Sequence, residues 1–271
     1  TRCADVTGVQ TCALPISGDY ITEINGVSVV GVSLEEVASR LKGITGSTVD
    51  VKFVRYNASG DEEIIEKKLP RRKVELTSFE YKMLDGNMGY ISFSSFDENV
   101  TEKFDEATKE LFKKKKAKGL ILDLRNNPGG LLSVAADVAD KLLPTGRIVY
   151  TVDKNGNEET LYSDSNFIDV PIVVIVNENS ASASEILAAA LKDYGWQVVG
   201  TTTYGKGLVQ EFKSLRDGTY VKVTISEYFS PNGNSINEKG VEPTIKVEQN
   251  EETEEDEQLN KAIEEMKKLI K

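Results

Sequence analysis

The 271-residue chain reads as an α/β protein built on a mixed sheet. Two observations predict this. Short, continuous apolar runs, "GLILDL" at 119–124, "VPIVVIV" at 170–176 and "QVVG" at 197–200, alternate with helix-like stretches. Buried strands separated by helices are the pattern of a parallel α/β core. Long strands at 208–215 and 219–229 then meet at Asp217-Gly218, a hairpin signal that adds an antiparallel part to the sheet.

The elements follow in order. "VTGVQTCALPI", Val6 to Ile16, reads like a translated sequencing adapter. Residues 1–17 are therefore expected to be a non-native segment, and the only two cysteines, Cys3 and Cys12, fall inside it. From 18 to 70 comes a first domain. Asn25-Gly26 turns a hairpin, Ser33 with Glu36 caps a short helix that Gly43 ends, and "STVDVKFVR" and "EEIIEKKLP" make two strands. The second domain, 71–249, opens with two strands around "LDGNMG". A helix over 99–118 follows, with Phe104, Ala107, Leu111 and Phe112 on one face. "GLILDL" ends in "RNNPGG" and a helix through about Leu143; "IVYTV" and "EETLYS" pair; "VPIVVIV" runs through "NENS" into a helix over 182–194. The last part, 250–271, is an acidic linker and an amphipathic helix. Its stripe of Leu259, Ala262, Ile263, Met266 and Ile270 is suited to docking on the chain's own core or on a sister subunit.

Composition narrows the function. The formal net charge is −11 and the pI near 4.8. Nucleic acid is excluded as a partner, because phosphate binding needs clustered basic surface. The one basic cluster, Lys113 to Lys116, reads as a solvated helix face. The chain has no histidine, the commonest zinc ligand, and no cysteine after Cys12, so no disulfide or thiolate metal site is available in the rest of the chain. No apolar run is long enough to span a bilayer.

"NSASASEI", 179–186, follows a buried strand and opens a helix. That puts a serine where free backbone N–H groups favour negative charge, a setting for a nucleophile and its oxyanion. Simple helix capping by Ser180 or Ser182 is the plainer reading of this stretch alone. A serine nucleophile needs a base, and with no histidine the candidate is a lysine whose amine burial keeps neutral. Lys206, between Gly205 and Gly207 in "TTTYGKGLVQ", comes just after the strand that follows the serine's helix. Gln210 lies four residues on and could hold that amine in place. In "DLRNNPGG", Gly129 and Gly130 can present N–H groups with no side chain in the way.

Together, and in this order, "LILDLRNNPGG", "VIVNENSASASEI" and "YGKGLVQ" closely resemble the C-terminal processing peptidases, or tail-specific proteases, and "GDYITEINGVSV…VASRLKG" looks like the second half of their PDZ domain. The resemblance runs from about Gly18 to Val247. It implies a ClpP/crotonase-like peptidase core, preceded by a partial PDZ domain and followed by a C-terminal helix. Ser182 aligns with the nucleophile, Lys206 with the general base and Gln210 with the residue that orients the lysine. The N–H of Ala183 and of Gly129 or Gly130 aligns with the oxyanion hole. The resemblance further implies cleavage of protein or peptide substrates near free C-termini, with no metal or cofactor. It implies an extracytoplasmic location, often with an N-terminal membrane anchor that this stretch lacks, and leaves homo-oligomers open. The first PDZ strands and the carboxylate-binding loop belong before Gly18, where the adapter-like residues stand, so residues 1–17 are not expected to complete that sheet.

Weaker signals are set aside. "SRLK", 39–42, matches Ser-x-x-Lys without its companion motifs. "DKNGNEE", 153–159, has Glu158 where a calcium loop needs glycine and reads as a turn. Two rival functions stand beside the peptidase: a PDZ-type binding protein on an inactive core, and a crotonase-like acyl-CoA enzyme.

Overall fold

Alternate residues of the apolar strands face opposite ways, and this decides where the layers go. In the computed structural model, which describes residues 15–16, 18–56, 60–72, 78–215, 219–250, 253 and 255–270, the chain divides into two compact units, Thr1–Glu75 and Leu76–Lys271. The expectation that residues 1–17 add no strand lies, apart from Pro15 and Ile16, outside the described residues.

In the first unit, β1 (Tyr20–Ile24) and β2 (Val27–Ser28) are joined by Asn25 and Gly26, both at positive φ, as a tight hairpin demands. Helix α1 (Leu34–Leu41) starts at Ser33, whose Oγ accepts the Glu36 N–H at 3.3 Å. Strands β3 (Thr48–Tyr56) and β4 (Glu62–Pro70) complete an antiparallel sheet of order β2-β1-β3-β4. Its core is Ile24, Val29, Val49, Val51, Phe53 and Ile65. Arg71 closes the unit by donating to the carbonyls of Leu41 and Thr48.

The second unit holds a six-stranded sheet in the order β14-β11-β10-β7-β6-β5. Strands β6 (Met88–Phe93), β7 (Gly119–Asp123), β10 (Ile172–Val176), β11 (Gln197–Gly200) and β14 (Ile245–Lys246) are parallel, and β5 (Phe79–Leu84) is antiparallel to β6, so the sheet is mixed. Leu120, Leu122, Ile172, Val174 and Val176 pack with residues of α2 (Val100–Thr108), α3 (Leu132–Asp140) and α4 (Ala183–Asp193). Ile121, Val173, Ile175 and Val199 meet Ala262 and Met266 of α5 (Glu257–Leu269) on the other face. All five stripe residues of the C-terminal helix join that cluster, so it docks on the chain's own core.

Two elements differ from the sequence reading. The helix expected over 99–118 is α-helical only to Thr108 and then widens into a π-helical turn, Lys109–Lys114. The Lys115 N–H bonds the Glu110 carbonyl at 3.0 Å, and the wider turn keeps both Leu111 and Ala117 in the core while Lys113 to Lys116 stay exposed. The hairpin of β12 (Leu208–Ser214) and β13 (Tyr220–Phe229) does not extend the main sheet. It pairs with β8 (Gly146–Asp153) and β9 (Glu158–Ser163) in a separate antiparallel sheet of order β12-β13-β8-β9. The place beside β11 is already taken by β14, so β13 finds its partner in β8. The "DKNGNEE" stretch is a turn, with Asp153 Oδ1 accepting the N–H groups of Asn155 and Asn157.

Candidate active site

Two loops leave the C-terminal edge of neighbouring strands, "RNNPGG" from β7 and "NENSAS" from β10, and buried polar groups knit them together. Asn127 is fully buried. Its side-chain amide donates to the Phe93 carbonyl at 2.8 Å, and its backbone carbonyl accepts the Ala181 N–H at 3.0 Å and the Ser184 hydroxyl at 2.8 Å. Ser180 donates to the Leu124 carbonyl at 2.8 Å. Ser180 and Ser184, both fully buried, thus spend their protons on the scaffold. Ser182, half-buried between them, gives its hydroxyl proton to no backbone carbonyl among the described residues, and the Tyr228 hydroxyl lies within its reach.

Ser182 stands at the N-cap of α4 with φ 56° and ψ −114°. That region is costly for a residue with a side chain, about 1–3 kcal/mol, and persists only where the surroundings impose it. Glu185 imposes it. In a capping box, Ser182 Oγ faces the Glu185 N–H, and Glu185 Oε2 accepts the Ser182 N–H at 2.8 Å. Ser182 therefore occupies the N-cap position, tied there through its backbone, with its N–H on Glu185 Oε2 and its carbonyl accepting the Glu185 N–H at 2.9 Å, and its hydroxyl makes no side-chain cap bond.

Glu185, fully buried, does more than cap. Its Oε2 also accepts the Lys206 N–H at 2.8 Å, and its Oε1 accepts the Gly205 N–H and the Thr203 hydroxyl, both at 2.6 Å. One carboxylate thus fixes the backbone of the serine and of the lysine to each other. The sequence reading did not single out Glu185; the signal was the Ser-x-x-Glu spacing of a capping box.

The candidate oxyanion donors separate. Gly129 gives its N–H to Asn127 Oδ1 at 2.9 Å, so it has none to offer. The N–H groups of Gly130 and Ala183 meet no acceptor among the described residues. Gly129 matters by lacking a side chain. At φ +100°, a Cβ there would lie 2.6 Å from the Ala181 carbonyl oxygen and 2.8 Å from Ser182 Cβ.

Ser182, Ala183, Gly130, Lys206 and Gln210 all line one cavity of about 360 Å³, walled by Leu131, Leu132, Ile186, Leu208, Val209, Lys222 and Tyr228. Lys206 is half-buried, and its amine has no ion pair or hydrogen bond among the described residues. Gln210 is exposed on β12, just past a bulge at Val209/Gln210 that re-aims the strand. Neither a Ser182–Lys206 nor a Lys206–Gln210 hydrogen bond forms in this state; resting sites commonly hold such pairs apart until substrate arrives. Among the described residues no cluster of three metal-ligating side chains occurs.

A larger polar cleft, about 660 Å³, lies around Asp123, Arg125, Asn126 and Thr201 and contains none of these residues. Its centre is structural. Arg125 bridges Asp123 at 2.6 Å and Asp256 of the α5 cap at 2.7 Å. Burial alone would lower the pKa of the guanidinium, and the two carboxylates more than offset that, holding it above its ordinary value.

Residues 87–247 match peptidase family S41. The chain belongs to peptidase family S41. It is similar to the carboxy-terminal processing protease CtpB of Bacillus subtilis (36% identical over 237 residues, 85% of this chain and 48% of that protein). It is also similar to the carboxyl-terminal-processing protease of Synechocystis (38% identical over 237 residues, 85% and 55%). Among solved structures, the photosystem II D1 C-terminal processing protease superposes with a TM-score of 0.60 at 34% identity, covering 85% of this chain and 63% of that one. The S41 match bears out the resemblance to C-terminal processing peptidases and the α/β peptidase fold. The chain spans about half the length of the curated relatives it matches.

Proposed function

We propose that this S41 chain is a serine endopeptidase in which Ser182 is the nucleophile and Lys206 the general base. The observation that carries this is the singling out of Ser182. Of the three serines in its loop, it alone gives its hydroxyl proton to no backbone carbonyl among the described residues, and it shares a cavity with a lysine amine and two N–H groups that have no partner among them. The neutral amine of Lys206 takes the Ser182 proton as Oγ attacks a peptide carbonyl. The developing oxyanion is met by the N–H groups of Ala183 and Gly130, at the positive end of α4. The C–N bond breaks and the amine leaves with the proton held by Lys206. Water then adds to the acyl-enzyme, giving its proton to Lys206, and Ser182 Oγ departs with it. Gln210, in the same cavity, orients the Lys206 amine.

The substrate is a protein or peptide cut near its free C-terminus. The first unit is the second half of a PDZ-like module that, completed by the strands and carboxylate-binding loop that belong before Gly18, receives the terminus by strand addition to its sheet. The site of action is extracytoplasmic, as the family resemblance suggests. The test is cleavage of unfolded casein across pH 6 to 10 by the parent, Ser182→Ala and Lys206→Met. The expected result is activity in the parent only, rising from the acidic to the basic end of that range. Cleavage by Ser182→Ala at the parental rate would dismiss the assignment. Lack of cleavage by all three, with tight binding of a C-terminal peptide, would instead favour a binding protein.

A further inference from the structure

We propose that Tyr228 is a further catalytic residue, whose Oη donates a hydrogen bond to Ser182 Oγ as that oxygen gains negative charge. The inference rests on the reading of Ser182 as nucleophile and adds a member to its site. Tyr228 lies on β13, is 2% exposed, and lines the cavity that holds Ser182 and Lys206. Among the described residues its hydroxyl is the one buried side-chain polar atom with no hydrogen-bond partner. A buried hydroxyl without a partner weakens a fold, and a phenylalanine would fill the same space without that cost. The hydroxyl therefore has its use in a state other than the resting one.

Ser182 supplies that state. Its hydroxyl lies close enough to the phenol for hydrogen bonding to oppose the rise of the phenol's pKa, yet the two oxygens are not aligned as a full hydrogen bond at rest. Burial, and then the negative charge of Glu185, push the phenol above its usual pKa. It stays protonated wherever a lysine amine titrates, so it is a donor and never the base. In acylation the Ser182 proton goes to the Lys206 amine, the Oγ–C bond forms, and the carbonyl electron pair moves onto its oxygen. In deacylation the Oγ–C bond breaks and Oγ recovers a proton from Lys206. Oγ carries charge at the first and last of these steps, and a donor waiting there stabilises the transition state more than the ground state.

The test is Tyr228→Phe, read three ways: the urea midpoint, kcat and KM on a peptide the parent cleaves, and the rate at which a fluorophosphonate labels Ser182. The expected result is a midpoint equal to or above the parent's, KM within about twofold, and kcat and labelling both slower by about 10- to 100-fold. Parental kcat and labelling overturn the proposal. So does a raised KM with kcat kept, which moves the hydroxyl to ground-state binding. So does a joint fall of midpoint and rate, which makes Tyr228 a packing residue. Ser182→Ala runs alongside: if it still cleaves, the nucleophile assignment itself fails. If it is inactive while Tyr228→Phe is unimpaired, only the role of Tyr228 falls.

Discussion

Replacing Glu185 by glutamine changes almost no volume but removes half of what the carboxylate does. Its Oε1 takes the Thr203 hydroxyl and the Gly205 N–H, and its Oε2 takes the N–H groups of Ser182 and Lys206. A glutamine can present its oxygen to only one of these pairs; the other two buried donors then face an NH₂. Two lost bonds to a charged acceptor amount to about 3–6 kcal/mol, from roughly 1.5–3 each. Against a typical stability of about 5–15 kcal/mol this is a large share. The single tryptophan, Trp196, packs against the core of the same unit and reports its unfolding by fluorescence. Glu185→Gln is expected to lower the urea midpoint sharply and to reduce peptide cleavage even under conditions where it remains folded, because either Ser182 and Lys206 together lose their backbone anchor or the Thr203–Gly205 stretch that leads into Lys206 loses its own. A variant within about 0.5 kcal/mol of the parent, and equally active, would refute the reasoning.

Gly129→Ala should fold yet lose most activity, since the new Cβ would press on Ala181 and Ser182 at a φ that alanine avoids; circular dichroism with a cleavage assay separates the two effects. Arg125→Met leaves Asp123, 6% exposed, without its cation, and should cost about 3–5 kcal/mol in urea unfolding. Burial pushes the Asp256 carboxyl up, but the Arg125 guanidinium and the Leu259 N–H more than offset it and hold the carboxyl below its ordinary value. A carboxyl depressed in the folded state adds stability above its unfolded pKa, about 3.9, and loses it as pH falls through the folded value. The stability gap between the parent and Asp256→Asn should therefore be constant from about pH 5 to 8 and close below about pH 4, as urea midpoints at each pH would show. Ser180→Ala should lose the bond to the Leu124 carbonyl, about 1 kcal/mol of stability, while keeping the nucleophile's chemistry, read as an unchanged rate of Ser182 labelling.

What the sequence made legible was periodicity and local turn chemistry. The α5 stripe needed only helical spacing, and all five of its residues are found on one face of the sheet. The strand-to-loop-to-helix setting of Ser182 and the position of Lys206 after β11 followed from the order of apolar runs, because β10 and β11 are parallel neighbours. What stayed hidden depends on contacts across the chain. Glu185 looks like an ordinary capping partner in sequence; its other three donors come from residues 203–206, which return to it only when β11 pairs with β10. Gly129 and Gly130 could not be told apart until the Asn127 side chain was seen to occupy one N–H. Tyr228 carried no motif at all. The separate sheet was missed because nothing local says that β14 claims the place beside β11.

The most direct test of the central claim is to treat the protein with a fluorophosphonate and map the adduct by peptide mass spectrometry, in the parent and in a folded Lys206→Met variant. The account predicts one adduct in the parent, on Ser182 and on neither Ser180 nor Ser184, and its near-complete loss when Lys206 is replaced. An adduct on another serine, or labelling of Ser182 that does not depend on Lys206, would contradict it.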